Sequence, residues 1–416
     1  MEKTKVSEKQ KKMMILGASA LQVPAIKKAK ELGYQIILVD YDETAVGFEL
    51  ADVKLVVSTL DQEEVYRQAL LYQPDVVITS TSDGPVRTAA YVNERLGKRP
   101  DLSYENACCA TIKSKMRDRL RECSVPIPKY YAAADFEAFS AAVDRFGGRC
   151  IVKPADNAGS RGVVLLDTSK KGNEPENFRE LKEQTYRYSR ENSRGGIVMV
   201  EEYMQGPEVS VEIMVIEGEP HVLAITDKYI TPLPYFVELA HCEPSRLGAE
   251  TQKQIRETAA QAVRAVGMEN APAHVEIKVT EEGPKIVELA ARLGGDFITS
   301  RLVPLSTGID MVGASVVLAT GETPDLTPAK SQGAAIHFIH ARENQSGALN
   351  KITVPDALYG AEGIEEIALY KKPGAAVQGT HSSNDRLGHV ITVGKTPAEA
   401  MERGKRALAQ IGVTIR

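Results

Sequence analysis

The sequence lacks a strong excess of either charge. In 416 residues, 51 Lys and Arg residues face 56 Asp and Glu residues, which gives a net charge of −5. A mildly acidic chain offers no general electrostatic footprint for nucleic acid or for an anionic membrane surface. We therefore expect neither partner, and an anionic ligand must be held by a local pocket.

Long apolar runs and cysteine patterns are also missing. No stretch approaches the ~20 apolar residues that a membrane span needs. The Lys-rich start followed by the apolar residues 13–16 imitates a signal peptide, but this run is short and continues into a helical pattern. The five cysteines include no C-x-x-C pair. Such cysteines fit structural roles in a reducing compartment, so we expect a cytoplasmic protein.

Strands and helices alternate over residues 13–100, which predicts a parallel sheet covered by helices on both faces. The segment 79–85, which contains Ser82 and Pro85, follows the fourth predicted strand. Ligands of such sheets bind at the carboxyl ends of the strands. Gly17 followed by Asp40 is compatible with a dinucleotide site. However, the turn lacks two of the three glycines of that fingerprint, so we reject this reading.

The pattern divides the chain into three predicted domains. Residues 1–105 form a parallel α/β domain, and residues 106–200 form linker helices and an α+β lid. Residues 201–416 form an α+β domain with a mostly antiparallel sheet, including a subdomain at about 330–416.

Two acidic residues carry the main chemical signal. Glu276 and Glu288 lie in β-rich segments on either side of the turn sequence 281–284. A hairpin centred near Glu282 places the two glutamates opposite each other, within about 5 Å. Two like charges at that distance need a cation, and Mg²⁺ accepts one or two carboxylates plus phosphate oxygens. Solvated surface glutamates are the alternative that this hairpin alone leaves open.

Basic and glycine-rich segments supply anion-binding groups. Lys113 opens a helix, where its charge opposes the helix dipole unless an anion lies nearby. Lys153 ends a strand, and a small-residue loop with Gly159, Ser160 and Gly162 follows it. The main-chain N–H groups of such a loop suit phosphate oxygens.

Two further segments complete the pattern. An apolar strand runs into Glu201, Glu202, Tyr203 and Met204, as a segment lining an adenine pocket does, and Glu208 follows. Arg292 lies four residues after Glu288, where it could hold a carboxylate or an acyl phosphate in a bidentate manner. Gly294 and Gly295 would allow a substrate to approach the main chain.

In this order, the motifs from about residue 13 to about 330 resemble the ATP-grasp superfamily. The resemblance implies a flavodoxin-like first domain followed by the lid and the catalytic domain. It implies that Lys113, Lys153, Gly159, Ser160 and Gly162 bind ATP phosphates. It implies adenine contacts from Glu201, Glu202, Tyr203 and Met204, a ribose contact from Glu208, and Mg²⁺ (or Mn²⁺) ligation by Glu276 and Glu288.

One departure from the common pattern is informative. Ala290 stands where many ATP-grasp enzymes have an Asn metal ligand, and the run Glu-Leu-Ala-Ala-Arg-Leu-Gly-Gly at 288–295 resembles the L-amino acid ligases. The segments 226–228 and 234–241 are similar to that group, which implies that Lys228 reaches the γ-phosphate. His241 is a candidate for the substrate pocket.

The resemblance implies a ligase that joins two amino acids through an acyl phosphate, with Arg292 and Lys228 as catalytic residues. A homodimer is compatible with it. Two alternatives stay open: a purine-pathway or carboxylase-like ligase, and a nucleotide-binding regulator without turnover. Near the segment 80–85 the sequence shows only Arg87 as a cation, which favours a substrate of low charge.

Overall fold

The computed structural model describes residues 10–98, 101–157, 159, 161–169, 175–233, 235–342 and 345–416. Side chains of residues 175–177 are not described. The predicted classes of structure are confirmed, since the molecule has a parallel α/β unit, an α+β lid and an α+β unit around a large antiparallel sheet.

The N-terminal unit is a four-stranded parallel sheet in the order β3-β2-β1-β4. Its central strands are almost entirely buried, which is typical of a sheet covered on both faces. Its strands and helices are β1 (Lys12–Leu16), α1 (Val23–Glu31), β2 (Gln35–Asp40), β3 (Val53–Val56), α2 (Gln62–Tyr72), β4 (Val76–Ile78) and α3 (Asp83–Arg95). Helix α3 begins directly at the carboxyl edge of the sheet, within the segment singled out in the sequence.

The lid is built on a four-stranded antiparallel sheet in the order β5-β8-β6-β7. Two short helices connect the first domain to it. Together these elements are α4 (Tyr104–Cys109), α5 (Lys113–Glu122), β5 (Tyr130–Ala133), α6 (Phe136–Phe146), β6 (Arg149–Pro154), β7 (Val164–Asp167), α7 (Pro175–Glu191) and β8 (Val198–Glu202). Apolar side chains of α6, including Phe139, pack on the sheet and form a separate small core.

The third unit is an eight-stranded sheet in the order β13-β12-β9-β10-β11-β14-β18-β16. The subdomain predicted at about 330–416 contributes three of these strands, so it extends the same sheet. The first half of the third unit comprises β9 (Glu208–Ile216), β10 (Glu219–Ile230), β11 (Glu238–Glu243), α8 (Ala249–Val266), β12 (Ala271–Thr280) and β13 (Gly283–Ala290). Its second half comprises α9 (Val303–Thr307), α10 (Met311–Ala319), β14 (Gly333–Ile339), β15 (Gly347–Thr353), β16 (Ile364–Leu369), β17 (Ala376–Val377), β18 (Gly388–Gly394), α11 (Pro397–Gln410) and β19 (Gly412–Ile415).

One hydrophobic core joins the first and third units. It combines Ile15 of β1 and Ile26 of α1 with Met311 and Val316 of α10 and Ile336 of β14, all of them buried. Each such side chain contributes roughly 1.5–3 kcal/mol by leaving water. The edge of the parallel sheet is therefore fixed relative to the large sheet, and the two units share one cleft.

In the part of the chain that the structure describes, no single helix is long and apolar enough to cross a membrane. The bent helix pair Ile298–Thr307 and Met311–Ala319 meets the same criteria of length and composition when taken together. All five cysteines are free, and only Cys123 is exposed.

Candidate active site

A cavity lies between the lid sheet and the large sheet. Its walls come from both units, and the carboxyl edge of the N-terminal sheet closes one end. Most of the residues singled out in the sequence line it. These are Lys113, Lys153, Gly159, Glu201, Glu202, Tyr203, Met204, Glu208, Lys228, Glu276, Glu288, Ala290 and Arg292.

The β12–β13 hairpin places Glu276 directly opposite Glu288, as predicted, but the pairing depends on an unpredicted β-bulge between Glu276 and Ile277. Each carboxylate is paired with a lysine from another element. Lys228 Nζ lies 3.1 Å from Glu276 Oε1, and Lys113 Nζ donates a 2.8 Å hydrogen bond to Glu288 Oε1. Burial raises the pKa of Glu276, but Lys228 and His274 outweigh burial and hold this pKa well below its usual value. Both groups are therefore balanced by ammonium charge.

The glutamate pair fits a metal that arrives with phosphate oxygens. Within the described ranges, no group of three or more His, Cys, Asp and Glu side chains is arranged to hold a metal ion. Ala290 is buried on the same strand as Glu288 and supplies no ligand oxygen. Two carboxylates without further protein ligands suit Mg²⁺, which completes its shell with phosphate oxygens and water.

Lys228 lies at the centre of a carboxylate cluster on the large sheet. Its Nζ is 2.8 Å from Glu208 Oε1 and 3.8 Å from Glu238 Oε1, in addition to the Glu276 contact. Glu208 in β9 lies opposite both Lys228 in β10 and Lys278 in β12, so its carboxylate accepts from two lysines. Burial acts to lower the pKa of Lys228, but the carboxylates raise it well above its ordinary value.

Lys153 forms the opposite wall on the lid. Its Nζ lies 2.7 Å from Glu201 Oε2, and Arg117 donates to both oxygens of the same carboxylate at 2.9 and 3.1 Å. Arg117 also donates to Val287 O at 2.7 Å, which ties the lid to the hairpin. Burial is the main cause of a lowered pKa for Lys153, and the positive charge of Arg117 adds to it. The Glu201 side chain thus orients cations, so an adenine contact at this position would have to come from its main chain.

The segment after β8 continues along the cavity wall. Lys285 lies 3.4 Å from the Glu202 carboxylate. At Gly206, with φ +126°, a Cβ atom would lie only 1.9 Å from Val279 O. Glycine therefore lets this segment cross β12 closely, which brings Tyr203 and Met204 into the cavity.

The glycine-rich loop follows β6, as predicted. Gly159 and Gly162 adopt φ of +67° and +78°, and Gly159 lines the cavity. A side chain at Gly162 would meet Asn192 Cβ at 2.6 Å, so this glycine allows the loop to pack beside the end of α7. Ser160 lies outside the described residues, and its phosphate contact stays a prediction.

Arg292 joins the hairpin region to the N-terminal domain. Its guanidinium donates to both carboxylate oxygens of Asp83, at 2.9 and 3.3 Å, and to Leu293 O at 2.9 Å. Burial opposes this arrangement, but each partner stabilises the charge of the other, so the pKa of Asp83 is lowered and that of Arg292 is raised. The arginine lies in the cavity, as predicted, and Asp83 orients it.

His274 is a buried link behind the glutamate pair. Its Nδ1 lies 2.6 Å from Glu212 Oε1, and its Nε2 lies 3.4 Å from Glu276 Oε1. Burial opposes protonation, but Glu212 dominates and raises the pKa of His274 to about 9. A Cβ at Gly294 would lie 2.7 Å from both Glu212 and His274. Gly294 therefore makes room for this pair and does not line the cavity, and neither does Gly295.

The C-terminal region reaches this site through Arg386. Its guanidinium donates to Asp296 at 2.7 and 2.9 Å and to Glu238 at 2.9 Å. His241 Nε2 lies 3.3 Å from Asp296 Oδ2, one layer behind the cavity wall. Because His241 is buried and contacts Asp296, it belongs to a network that supports the wall and is not part of its lining. Asp296 itself has φ +52°, a left-handed conformation that non-glycine residues adopt rarely.

A second cavity adjoins the first at the N-terminus of α3. The two cavities share Asp83, Asn157, Gly159, Arg161, Glu288 and Arg292. Ser82 and Pro85 line the second one. The expectation that only Arg87 supplies a cation near this segment is wrong, because Arg161 and Arg194 of the lid line the same cavity. The lid and the C-terminal residues 382–384 complete its wall.

Sequence reasoning missed several residues of this arrangement. Arg117 had a findable signal, because it lies four positions after Lys113 on the helix face that also carries Met116 and Leu120. Asp83 and Arg386 gave no comparable signal, since their partners lie 209 and 90 residues away in the chain.

Comparison with known proteins agrees with this geometry. Residues 147–300 match the ATP-grasp domain model, and residues 337–416 match the model of L-amino acid ligase C-terminal domain 2. The chain therefore has the ATP-grasp fold and contains an ATP-grasp domain. More particularly, this domain is followed by an L-amino acid ligase C-terminal domain.

Three individual relatives each share less than 30% sequence identity with this chain. Alanine–anticapsin ligase of Bacillus subtilis is 29% identical over 278 residues, which cover 64% of this chain and 58% of that protein. The chain spans less than two thirds of the length of the curated relatives that it matches first. The structure of L-amino acid ligase from Bacillus licheniformis is similar with a TM-score of 0.82 at 20% identity, over 98% of this chain and 100% of that chain. Phosphoribosylglycinamide synthetase from Anaerococcus prevotii gives 0.75 at 19% identity, over 98% and 100%. These structures show a shared fold.

Proposed function

We propose that the protein is an ATP-dependent carboxylate–amine ligase that joins two unprotected L-amino acids into a dipeptide. The observation that carries this proposal is the Glu276–Glu288 pair, which lines one cavity together with Lys113, Lys153 and Lys228. Paired carboxylates suit a metal–phosphate complex, and the lysines suit the phosphate oxygens. The C-terminal domain match and the alanine–anticapsin ligase relative favour amino acids as substrates.

The first step activates a carboxylate. A carboxylate oxygen of the first amino acid attacks the γ-phosphorus of ATP, an O–P bond forms, and the bond to the β-phosphate oxygen breaks to release ADP. Lys153 and Lys228 stabilise the charge on the transferred phosphoryl group, and Lys113 holds phosphate oxygens beside Glu288. Bound Mg²⁺, or Mn²⁺ in its place, supplies further charge neutralisation, with Glu276 and Glu288 as its protein ligands.

The second step forms the peptide bond. The neutral amine of the second amino acid attacks the acyl carbon, a C–N bond forms, the C–O bond to phosphate breaks, and the nitrogen loses a proton. Arg292, fixed by Asp83, stabilises the negative oxygen of the tetrahedral intermediate. Closure of the lid excludes water, which would otherwise hydrolyse the acyl phosphate.

The substrates bind on either side of Arg292. ATP occupies the first cavity, with its adenine near Glu202, Tyr203 and Met204 and its ribose near Glu208. The phosphate loop of Gly159, Ser160 and Gly162 covers the phosphates. The amino acids occupy the second cavity beside Ser82 and Pro85. His241, Gly294 and Gly295 act from behind the wall, by packing and positioning.

Two alternatives make different demands. A purine-pathway ligase, favoured by the similarity to phosphoribosylglycinamide synthetase, would need a sugar phosphate in the second cavity. A nucleotide-binding regulator would bind ATP without turnover. The complete set of three lysines, two glutamates and Arg292 in one cavity supports catalysis.

A screen of amino-acid pairs tests the proposal. Phosphate release from ATP is measured with each of the 20 amino acids alone and in pairs, and products are identified by mass spectrometry. We expect phosphate release that depends on at least one pair and that yields the matching dipeptide. ATP binding without any amino-acid-dependent release of phosphate would contradict the proposal.

A further inference from the structure

We propose that Arg87 and Arg194 form an anion-binding subsite for the free carboxylate of the amino acid that supplies the amine. The subsite lies in the second cavity, at the start of α3. This inference rests on the proposed ligase function, because it assigns a position to the second substrate. It adds a requirement that the nucleotide cavity alone does not impose, namely a negative charge on the amine substrate.

The two arginines converge from different domains. Arg87 lies three positions after Gly84, so both residues lie on the same face of α3. Arg194 belongs to the lid, and its Nη1 lies 3.4 Å from the point where a Cβ of Gly84 would be. The lid arginine therefore lies beside the helix face that carries Arg87.

Arg87 has unused hydrogen-bonding capacity in the described structure. Its Nε is buried and has no hydrogen-bond partner among the described residues. A guanidinium carries five N–H donors and stays charged at any physiological pH. Arg292 at the other end of the same cavity has both carboxylate oxygens of Asp83 as partners. The contrast points to a ligand group as the missing partner of Arg87.

The acidic residues of the cavity are committed elsewhere. Asp83 pairs with Arg292, and Glu288 pairs with Lys113. Asp156 accepts hydrogen bonds from Ser193 Oγ and from the main-chain N–H groups of Arg194 and Gly195. These carboxylates leave the side chains of Arg87 and Arg194 as cations that favour an anionic ligand.

The size and lining of the cavity suit a small polar substrate. Its volume of about 610 Å³ lies within the range of roughly 300–1,000 Å³ that is usual for small-molecule pockets. Hydroxyl and amide groups complete the wall, contributed by Ser58, Thr59, Thr81, Ser82, Ser382, Ser383 and Asn384. Because the cavity meets the nucleotide cavity at Arg292, a substrate anchored at Arg87 by its carboxylate can direct its amine toward the acyl phosphate.

The experiment compares each active amine substrate with its carboxamide, in the wild type and in the variants Arg87→Gln and Arg194→Gln. Arg179→Gln is the matched control, because Arg179 is an exposed arginine in α7 of the same lid. We expect the carboxamide to raise KM for the second amino acid in the wild type by at least about tenfold, equivalent to roughly 1.4 kcal/mol. Arg87→Gln and Arg194→Gln should abolish this discrimination and leave KM for ATP unchanged. Equal use of acid and amide by the wild type, or retained discrimination in both variants, would overturn the subsite.

A binding measurement separates this inference from the proposed function. Each amino acid, its amide and ribose 5-phosphate are tested by ligand-observed NMR with a non-hydrolysable ATP analogue, in the wild type and in Arg87→Gln. We expect at least one free amino acid to bind in a manner that requires Arg87 and to lose affinity as the amide. If no amino-acid pair supports phosphate release but this binding persists, the ligase proposal fails, while the carboxylate-binding site at Arg87 is upheld. If no amino acid binds through Arg87, or if only ribose 5-phosphate does, the carboxylate subsite is wrong.

Discussion

The two walls of the first cavity, where we propose that ATP binds, shift the pKa of a buried lysine in opposite directions. On the lid wall, Lys153 shares the single carboxylate of Glu201 with Arg117, and its pKa is lowered. On the sheet wall, Lys228 faces several carboxylates, and its pKa is raised. Cations thus outnumber the carboxylate at Lys153, whereas carboxylates outnumber the ammonium group at Lys228. Under the proposed function, we expect phosphate oxygens at the lid wall and a metal at the sheet wall.

The largest expected effect comes from removing the charge of one carboxylate of the Glu276–Glu288 pair. Glu288→Gln should lower turnover by at least about 10²–10³-fold, the scale seen when one group that stabilises a transition state is lost. The fold should persist, because glutamine keeps the shape of the side chain. ADP release and thermal unfolding are the measurements.

Glu282→Gln serves as the control for this variant. Glu282 lies in the turn of the same hairpin, and its side chain is 76% exposed. It should behave like the wild type in both assays. Near-normal ADP release by Glu288→Gln would show that the carboxylate of Glu288 on the sheet wall is not needed for turnover, contrary to the proposed difference between the walls.

Arg117→Met tests the lid wall. Arg117 is 1% exposed and holds Glu201 in place, so its loss leaves a buried carboxylate with only Lys153 as a cationic partner. Removing one partner of a buried ion pair costs about 3–5 kcal/mol, and the remaining lysine should keep the loss near the lower end. Urea unfolding measures the change in the free energy of unfolding.

Arg119→Met is the matched control on the same helix. Arg119 pairs with Glu105, whose side chain is 80% exposed. Such surface ion pairs contribute about 0–1 kcal/mol. Equal losses of stability in the two variants would show that the buried contacts among Arg117, Glu201 and Lys153 stabilise the fold no more than a surface ion pair does.

A smaller effect should appear in the pH dependence. Because the pKa of Lys153 is lowered, rising pH removes the positive charge of Lys153 before Lys228 loses its proton. We expect KM for ATP to rise on the alkaline side, and Lys153→Arg to shift that rise to higher pH because arginine stays charged. Lys228→Arg should leave the alkaline limb in place. If the alkaline rise in KM for ATP occurred at the same pH in Lys153→Arg as in the wild type, it could not be due to deprotonation of Lys153.

The lowered pKa of Lys153 and the raised pKa of Lys228 have opposite effects on how the stability of the fold depends on pH. The folded state binds the proton of Lys153 more weakly than the unfolded state, so this group disfavours folding at low pH. That penalty disappears as pH rises from the lowered to the ordinary pKa. Lys228 stabilises the fold below its ordinary pKa, and this stabilisation is lost as pH rises through its raised pKa.

Local patterns predicted much of the fold and the first cavity. The turn sequence at 281–284 predicted the hairpin that carries Glu276 and Glu288. The turn itself pairs Thr280 with Gly283, and a β-bulge after Glu276 then shifts the register by one residue, so that Glu276 faces Glu288. The alternation of strands and helices likewise predicted the parallel sheet, whose last strand, β4, is followed by Ser82 and by Pro85 in α3. These features depend on neighbours within a few residues in the chain.

Contacts between distant segments were not predictable in this way. Arg292 meets Asp83 across 209 residues, and Arg386 meets Asp296 across 90 residues. Arg194 approaches α3 only because the lid folds over the first domain. The number of cations in the second cavity was therefore underestimated from the sequence. Charge balance in a site depends on such long-range contacts, while strand register does not.

The central claim is that a substrate carboxylate attacks the γ-phosphate. Its most direct test uses the first amino acid labelled with ¹⁸O in its carboxylate, together with ATP and the second amino acid. We predict that one ¹⁸O atom per turnover appears in inorganic phosphate, because the acyl carbon–oxygen bond breaks when the amine attacks. Dipeptide formation with ¹⁸O found in AMP, or with unlabelled phosphate, would contradict the acyl-phosphate mechanism.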